Sequence, residues 1–190
     1  MKDLFGILGV VFLVGSSVPY LAAVYKKTAQ PHAFSWILWG LIQAIVFAAQ
    51  VVKGAGAGGW ATGVTALVNF VIAGYALRHS KIQFTRSDWA VFLAALAAIP
   101  LWAITKDPLW SVILVSFIDA VAFWPTIRKS WNKPHSEVLL TFVLGGVGFA
   151  LAIAAIENYI LTNWLYPATV MATNTAFIAV LLYRRRVVPS

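Results

Sequence analysis

Apolar residues fall into long runs, separated by short stretches that carry charged residues, glycine or proline. Most runs approach or exceed the roughly 18 residues that an α-helix needs to cross a bilayer. The pattern therefore predicts seven membrane-spanning helices, although the fourth run is the shortest and carries Pro100, which leaves five or six spans as alternatives. The predicted spans lie near residues 4–25, 33–52, 58–77, 88–104, 109–127, 137–156 and 160–183.

The composition favours lipid over water as the main solvent. Of the 190 residues, 61% are hydrophobic and only 11% are charged, and the mean hydropathy is +0.84. Soluble domains carry about 25% charged residues. The expected fold class is therefore an all-α integral membrane protein, and the expected location is a bacterial inner membrane.

The basic residues are distributed unequally between the two ends of the predicted spans. The net charge of +8 comes from short clusters between spans and forms no basic face, so no nucleic-acid partner is expected. Cytoplasmic loops collect Lys and Arg, which predicts an outside N-terminus and a cytoplasmic C-terminus. Eleven lie on the predicted cytoplasmic side (26, 27, 78, 81, 86, 128, 129, 133 and 184–186), and three on the other (2, 53 and 106).

Few residue types that carry catalysis or bind metals are present. The chain has no cysteine and only three scattered histidines, so no thiolate metal site and no cofactor are expected. The spans contain no nucleophile and base pair, metal motif or carboxylate dyad, and an enzyme is therefore not expected.

The end of the first span is similar to the end of the fifth. Each places a proline within apolar sequence, followed by basic residues and then Pro-His. Two parallel three-helix repeats are expected, and a linker helix must join them because three spans leave the chain on the opposite side. The expected units are 1–80, the linker 81–106, and 107–190 with its basic tail. The matched residues are Pro19 with Pro125, and Pro31-His32 with Pro134-His135.

On these residues the chain resembles the PQ-loop and SWEET-like (MtN3) superfamily of small seven-helix transporters, over almost its whole length. Members join two three-helix bundles by an inversion-linker helix. The Pro-Gln pair of the family stands here as Pro19-Tyr20 and Pro125-Thr126; the second is similar to the SWEET form and the first departs from it. The resemblance implies a transporter and leaves the subfamily open.

Pro19 and Pro125 are candidate hinges. A proline within a helix removes one backbone hydrogen bond and disturbs the preceding turn, which permits bending. A helix that simply ends at the membrane face is the alternative. The resemblance favours a moving gate that serves alternating access.

Asp119 is predicted to lie deep within the fifth span. An ionised carboxylate there costs roughly 3 kcal/mol or more, so its side chain is expected to face the bundle interior. It is a candidate proton or cation site coupled to transport. The alternative is a protonated or hydrogen-bonded structural aspartate.

Asn69 and Asn174 occupy corresponding places in the two repeats. An amide offers both donors and acceptors, so a facing pair can hold a neutral polar solute without burying charge. The resemblance implies that both line the substrate pocket. Hydrogen bonding between helices is the alternative.

Further candidates for the substrate site rest on fewer observations. Trp60 and Trp164 lie near the starts of the third and seventh spans, where the resemblance implies stacking on a ligand, but aromatic anchoring at the membrane interface is the favoured explanation. Gln43 on the second span and Trp124 beside Pro125 complete the predicted site.

The predicted function is a transporter or facilitator of a small polar solute, such as a sugar or an amino acid, by alternating access. Protons are a candidate coupling ion. A seven-helix receptor or sensor that binds a ligand without moving it is the alternative. Besides the solute, the lipid bilayer is the expected partner; a monomer is sufficient, and a homo-oligomer is compatible with the pattern.

Overall fold

A computed structural model describes residues 1–26, 33–79, 86–123, 127, 130–132 and 134–188. This part of the chain is helical throughout, with short turns between the helices and no strand. Short 3₁₀ turns cover Gly56–Gly59 and Pro134–Ser136. The α-helices are α1 (Lys2–Tyr25), α2 (Ala33–Val52), α3 (Trp60–His79), α4 (Arg86–Leu96), α5 (Ala98–Thr105), α6 (Pro108–Ala122), α7 (Leu139–Ala155) and α8 (Leu161–Val187).

Within the described ranges, four helical segments are long and apolar enough to cross a membrane. They are Lys2–Ala22, Ala33–Val52, Gly56–Arg78 and Leu161–Val187. Shorter apolar helices cover Phe92–Thr105, Pro108–Ala122 and Leu139–Ala155. The apolar runs of the sequence therefore do form helices, and the bounds of α2 coincide with those predicted.

The fourth apolar run forms two consecutive helices, α4 and α5, where one helix was predicted. The break falls at Ala97, three residues before Pro100. Pro100 has no N–H to donate to the carbonyl of Leu96, and its ring crowds that carbonyl. The helix therefore ends at Leu96 and restarts immediately.

The described helices have an apolar surface, and several polar side chains are buried within a largely apolar interior. Large apolar side chains point outward along the helices, among them Val71 and Phe117, which are 70% and 67% exposed. Amides and hydroxyls are buried instead, including Gln50 and Asn163. Such a continuous apolar exterior is suited to contact with lipid.

Helices from the two halves of the chain pack against each other. The most extensive contact joins α1 to α7, and α2 also contacts α6. Within the first half, α3 packs on α1 and α2; within the second half, α8 packs on α6 and α7. The core is therefore shared between the halves.

Glycines allow α1 to approach its neighbours closely. A Cβ atom on Gly6 would lie 2.8 Å from the carbonyl oxygen of Ala57, and one on Gly9 would lie 3.1 Å from that of Gly148. Larger side chains at these positions would push the helices apart. This glycine contact closes one end of the bundle.

Lys53 lies near one end of α8, and Arg184 and Arg185 lie at the other end. The Lys53 carbonyl accepts a hydrogen bond from Asn163 Nδ2 at the start of α8, at 3.1 Å. At its other end, Arg184 Nε donates to the Trp131 carbonyl at 2.8 Å and Arg185 Nε to the Pro134 carbonyl at 3.1 Å. Since α8 has 27 residues, these ends are about 40 Å apart. We call them the lysine end and the arginine end.

Lysines hold the lysine end together. Lys2 Nζ donates to the Ile156 carbonyl at 2.6 Å, where α7 ends. Lys53 Nζ forms an ion pair of 3.2 Å with Asp107. Asp107 also caps α6 by accepting a hydrogen bond from the Leu109 N–H at 3.2 Å. That N–H, followed by the interaction with Lys53, lowers the pKa of the Asp107 carboxyl below its ordinary value.

Candidate functional site

A cavity of about 750 Å³ lies between six helices. This volume is in the range of ligand sites for metabolite-sized molecules. Its walls come from α1, α2 and α3 of the first half and from α6, α7 and α8 of the second. Polar atoms are supplied by Ser16, Ser17, Tyr20, Gln43, Thr65, Asn69, Asp119, Thr141, Tyr166, Thr173 and Asn174.

The cavity occupies the half of the bundle nearer the arginine end. Its lining includes Pro19 and Tyr20 near the end of α1, and Trp36 near the start of α2. Glu137 and Val138, just before α7, also line it. The glycine contact and the lysine contacts lie at the other end. The described residues thus form a bundle that is hollow toward one end and packed at the other.

Five of the residues predicted from the sequence line this cavity together, namely Pro19, Gln43, Asn69, Asp119 and Asn174. They come from five different helices. The other four predicted residues are not among the described lining residues. Trp60 and Trp164 do not belong to the lining and are 41% and 37% exposed. Trp124 and Pro125 lie outside the described residues.

Polar side chains from both halves meet in the cavity wall. Asn69 Nδ2 on α3 donates to Gln43 Oε1 on α2 at 3.0 Å. The Gln43 side chain also lies close to the Tyr166 hydroxyl on α8. Gln43 and Asn69 are therefore fixed in orientation, since buried amides that exchange hydrogen bonds lose their freedom to rotate.

Asn174 differs from Asn69 in having no such partner. It lies on α8 beside Gly145 of α7, where a Cβ atom would come within 3.1 Å of Asn174 Nδ2. Among the described residues, none forms a hydrogen bond with its side chain. The Asn174 amide, which is buried against protein and lines the cavity, is free to bind a solute.

Asp119 also lines the cavity without a partner in the described part of the chain. No described residue donates a hydrogen bond to its carboxyl or forms an ion pair with it. It lies close enough to Tyr166 for the two groups to interact electrostatically. A carboxylate without a counter-charge in an apolar interior is unfavourable, so a proton or a bound cation stabilises this site.

No protein-family model, curated protein or solved structure matches the chain.

Aromatic residues form a wall that we did not predict. The rings of Tyr20 and Trp36 have centroids 4.8 Å apart, and Trp36 Nε1 donates to the Tyr20 hydroxyl at 3.3 Å. Trp39 packs edge-on against Trp36, with centroids 5.3 Å apart. All three line the cavity. We call them the aromatic wall.

A signal for this wall is present in the sequence. Trp36, Trp39 and Gln43 are spaced by three and four residues, which places them on one face of α2. Taken alone, Trp36 is equally typical of an interfacial anchor. Its helical spacing from the buried Gln43 is what favours a position in the cavity wall over a position at the membrane interface.

Proposed function

We propose that this chain is a transporter of a small polar solute, of the PQ-loop and SWEET-like kind, and works by alternating access. The observation that carries the proposal is the 750 Å³ cavity, which is built by six helices, contains polar groups and is closed toward the lysine end. A solute site near the middle of a bundle that opens toward one end is what alternating access requires.

The helix packing supports the proposed pair of three-helix repeats. If α1, α2 and α3 correspond to α6, α7 and α8, the contact of α1 with α3 matches that of α6 with α8. The contact of α2 with α3 likewise matches that of α7 with α8, and the contact of α1 with α7 matches that of α6 with α2. In this proposal α4 and α5 together are the linker.

The proposed orientation follows from the two ends of the bundle. Lys and Arg are enriched on the cytoplasmic side, and eleven of the fourteen fall in the sequence segments assigned to the side of Arg184–Arg186. We therefore assign the arginine end to the cytoplasm and the lysine end to the outside. The cavity then lies nearer the cytoplasmic side. Alternating access would require the glycine contact between α1 and α7 to separate, and Pro19 in α1 lies beside the cavity as a hinge.

Asp119 is the proposed coupling site. It lines the cavity, lacks a partner among the described residues and lies within the interior of the bundle. Binding and release of a proton there would change the charge of the solute site, which ties proton movement to solute movement.

Uptake into proteoliposomes tests the proposal. A panel of labelled sugars, amino acids, organic acids and amines is offered with and without a pH gradient, to the wild type and to Asp119→Asn. Uptake of at least one solute supports transport, and loss of its pH dependence in the variant supports coupling. Asp3→Asn, at an exposed acid at the start of α1, is the matched control. Saturable binding of a solute with no uptake would contradict the transporter proposal and favour a receptor.

A further inference from the structure

The charge of the cavity indicates what kind of solute it takes. Among the described residues that line it, none carries a positive charge, whereas Asp119 and Glu137 are acids. A negatively charged solute would bring a further charge into this site without compensation. Organic acids and phosphorylated solutes are therefore poor candidates.

Glu137 is not the acid expected to pair with a bound cation. It lies just before α7 near the mouth of the cavity, and Arg185 Nη2 donates to its carbonyl oxygen at 2.6 Å. A guanidinium is therefore already close to Glu137. Asp119 is deeper, and no cation of the described residues reaches it.

The aromatic wall supplies a second feature that suits a cation. The side chains of Tyr20, Trp36 and Trp39 line the same cavity. The faces of such rings attract ammonium, guanidinium and quaternary ammonium groups, and they also pack against flat apolar groups. A carboxylate and aromatic faces in one cavity are complementary to an amine that has an apolar or aromatic part.

The unpartnered Asn174 amide adds an acceptor for the same solute. Its oxygen is able to accept a hydrogen bond from an ammonium N–H. Gln43 cannot do this as readily, because its oxygen already accepts from Asn69. The site thus offers the solute one charge, one amide and the aromatic wall.

We infer that the cavity binds an organic cation, an amine of metabolite size with an apolar or aromatic part, and that its ammonium group pairs with Asp119. The physiological role of this binding rests on the proposed transport function, whereas the binding itself can be tested separately.

Charge balance makes this inference more specific. When the cation enters, the Asp119 carboxyl releases its proton to water and the carboxylate pairs with the ammonium, so the net charge of Asp119 and its bound partner is zero before and after.

Other groups that face this region are Tyr166 from α8, Tyr20 from α1 and Glu137 before α7, with the neutral Gln43 from α2. No lining residue of the described chain comes from α4 or α5. Binding of the cation should therefore tighten as pH rises.

Three probes with the same ring separate charge from shape. Phenethylamine, 2-phenylethanol and 3-phenylpropanoate are titrated into the detergent-solubilised protein by calorimetry. We expect the amine to bind at least about tenfold more tightly than the alcohol, as a charge-assisted hydrogen bond would give, and the carboxylate to bind weakest. Repeating the titration in buffers of different ionisation enthalpy should show about one proton released per amine bound.

Asp119→Asn should remove the preference for the amine and the proton release, while Asp3→Asn should keep both. Thermal unfolding verifies that each variant is folded, and the wild-type order of the three probes tests the inference even if Asp119→Asn fails to fold. Equal binding of amine and alcohol, tighter binding of the carboxylate, or no binding of the amine overturns the inference. Uptake of neutral solutes without preference for a cation would overturn this inference and leave the proposed transport function standing. Binding of the cation without uptake would overturn transport and leave this inference standing.

Discussion

Gln50 donates a hydrogen bond of 2.9 Å from its Nε2 to the backbone carbonyl of Asn163. This carbonyl lies four residues before Pro167, which is inside α8 and has no N–H to offer it. A side chain of α2 therefore supplies the donor that the proline removes from α8. Both Gln50 and Asn163 are fully buried, so without this bond the carbonyl would be left unpaired in an apolar interior.

Replacing Gln50 by Leu should destabilise the protein less when Pro167 is replaced by Ala. In Pro167→Ala the new N–H at residue 167 can bond the Asn163 carbonyl, so the glutamine is no longer needed. We expect a coupling of about 1 kcal/mol in a double-mutant cycle, measured by reversible unfolding in detergent. Additive effects of the two substitutions would show that the hydrogen bond contributes little.

Gly6 and Gly15, both in α1, should respond differently to alanine. A Cβ atom on Gly6 meets the Ala57 backbone at 2.8 Å, whereas one on Gly15 meets no atom within 4 Å. Gly15→Ala should therefore stabilise α1 by roughly 0.5–1 kcal/mol through helix propensity. Gly6→Ala should destabilise the bundle, because the turn at Ala57 has to move. The melting temperatures of the two variants should shift in opposite directions.

Asn69 and Asn174 should be separable by comparing binding with stability. Asn174→Ala should weaken solute binding by about tenfold and leave the unfolding free energy unchanged, since its amide has no partner among the described residues. Asn69→Ala should weaken binding and also lower stability, because Gln43 loses the bond from Asn69.

Asn158→Ala is the control for both variants. Asn158 is exposed and donates to the Lys53 carbonyl at the lysine end, where Asn163 also donates. Solute affinity should therefore not change. If both cavity variants bind the solute as the wild type does, the two asparagines are structural.

Asp107 should make stability depend on pH in the acid range. Its carboxyl has a pKa below the ordinary 3.8 because it accepts from the Leu109 N–H and pairs with Lys53. The ionised form therefore stabilises the folded state above pH 3.8, and this contribution is lost as pH falls through the lowered pKa. Asp107→Asn retains a capping oxygen without the charge, so its melting temperature should fall less than that of the wild type on acidification. Parallel pH profiles would contradict this.

The helices were largely predictable because their length and apolar character are properties of continuous sequence. Pro100 identified the fourth run as the least regular helix, but the helix ends four residues earlier, because the carbonyl of Leu96 is the one that Pro100 cannot bond. Gln43, Asn69, Asp119 and Asn174 could be selected because polar residues within apolar runs are costly unless they face the interior.

The aromatic wall could be predicted only by relating Trp36 and Trp39 to Gln43 on the same face of α2, because a single tryptophan near the end of a span has the same local sequence whether it faces lipid or a cavity. The bond between Gln50 and Asn163 could not be predicted at all. The partner of a carbonyl that Pro167 frees comes from another helix, far away in sequence. Such features depend on tertiary packing, which the pattern of a single run does not contain.

The contact of α1 with α7 has a consequence for how such a chain could be divided. Gly9 of α1 lies against Gly148 of α7, so a half-length polypeptide of α1–α3 would expose the apolar face of α1 around Gly9. It would regain a covered core only by associating with the missing half, or with a second copy of itself. In the described bundle, each half of the chain therefore depends on the other to bury this contact between α1 and α7.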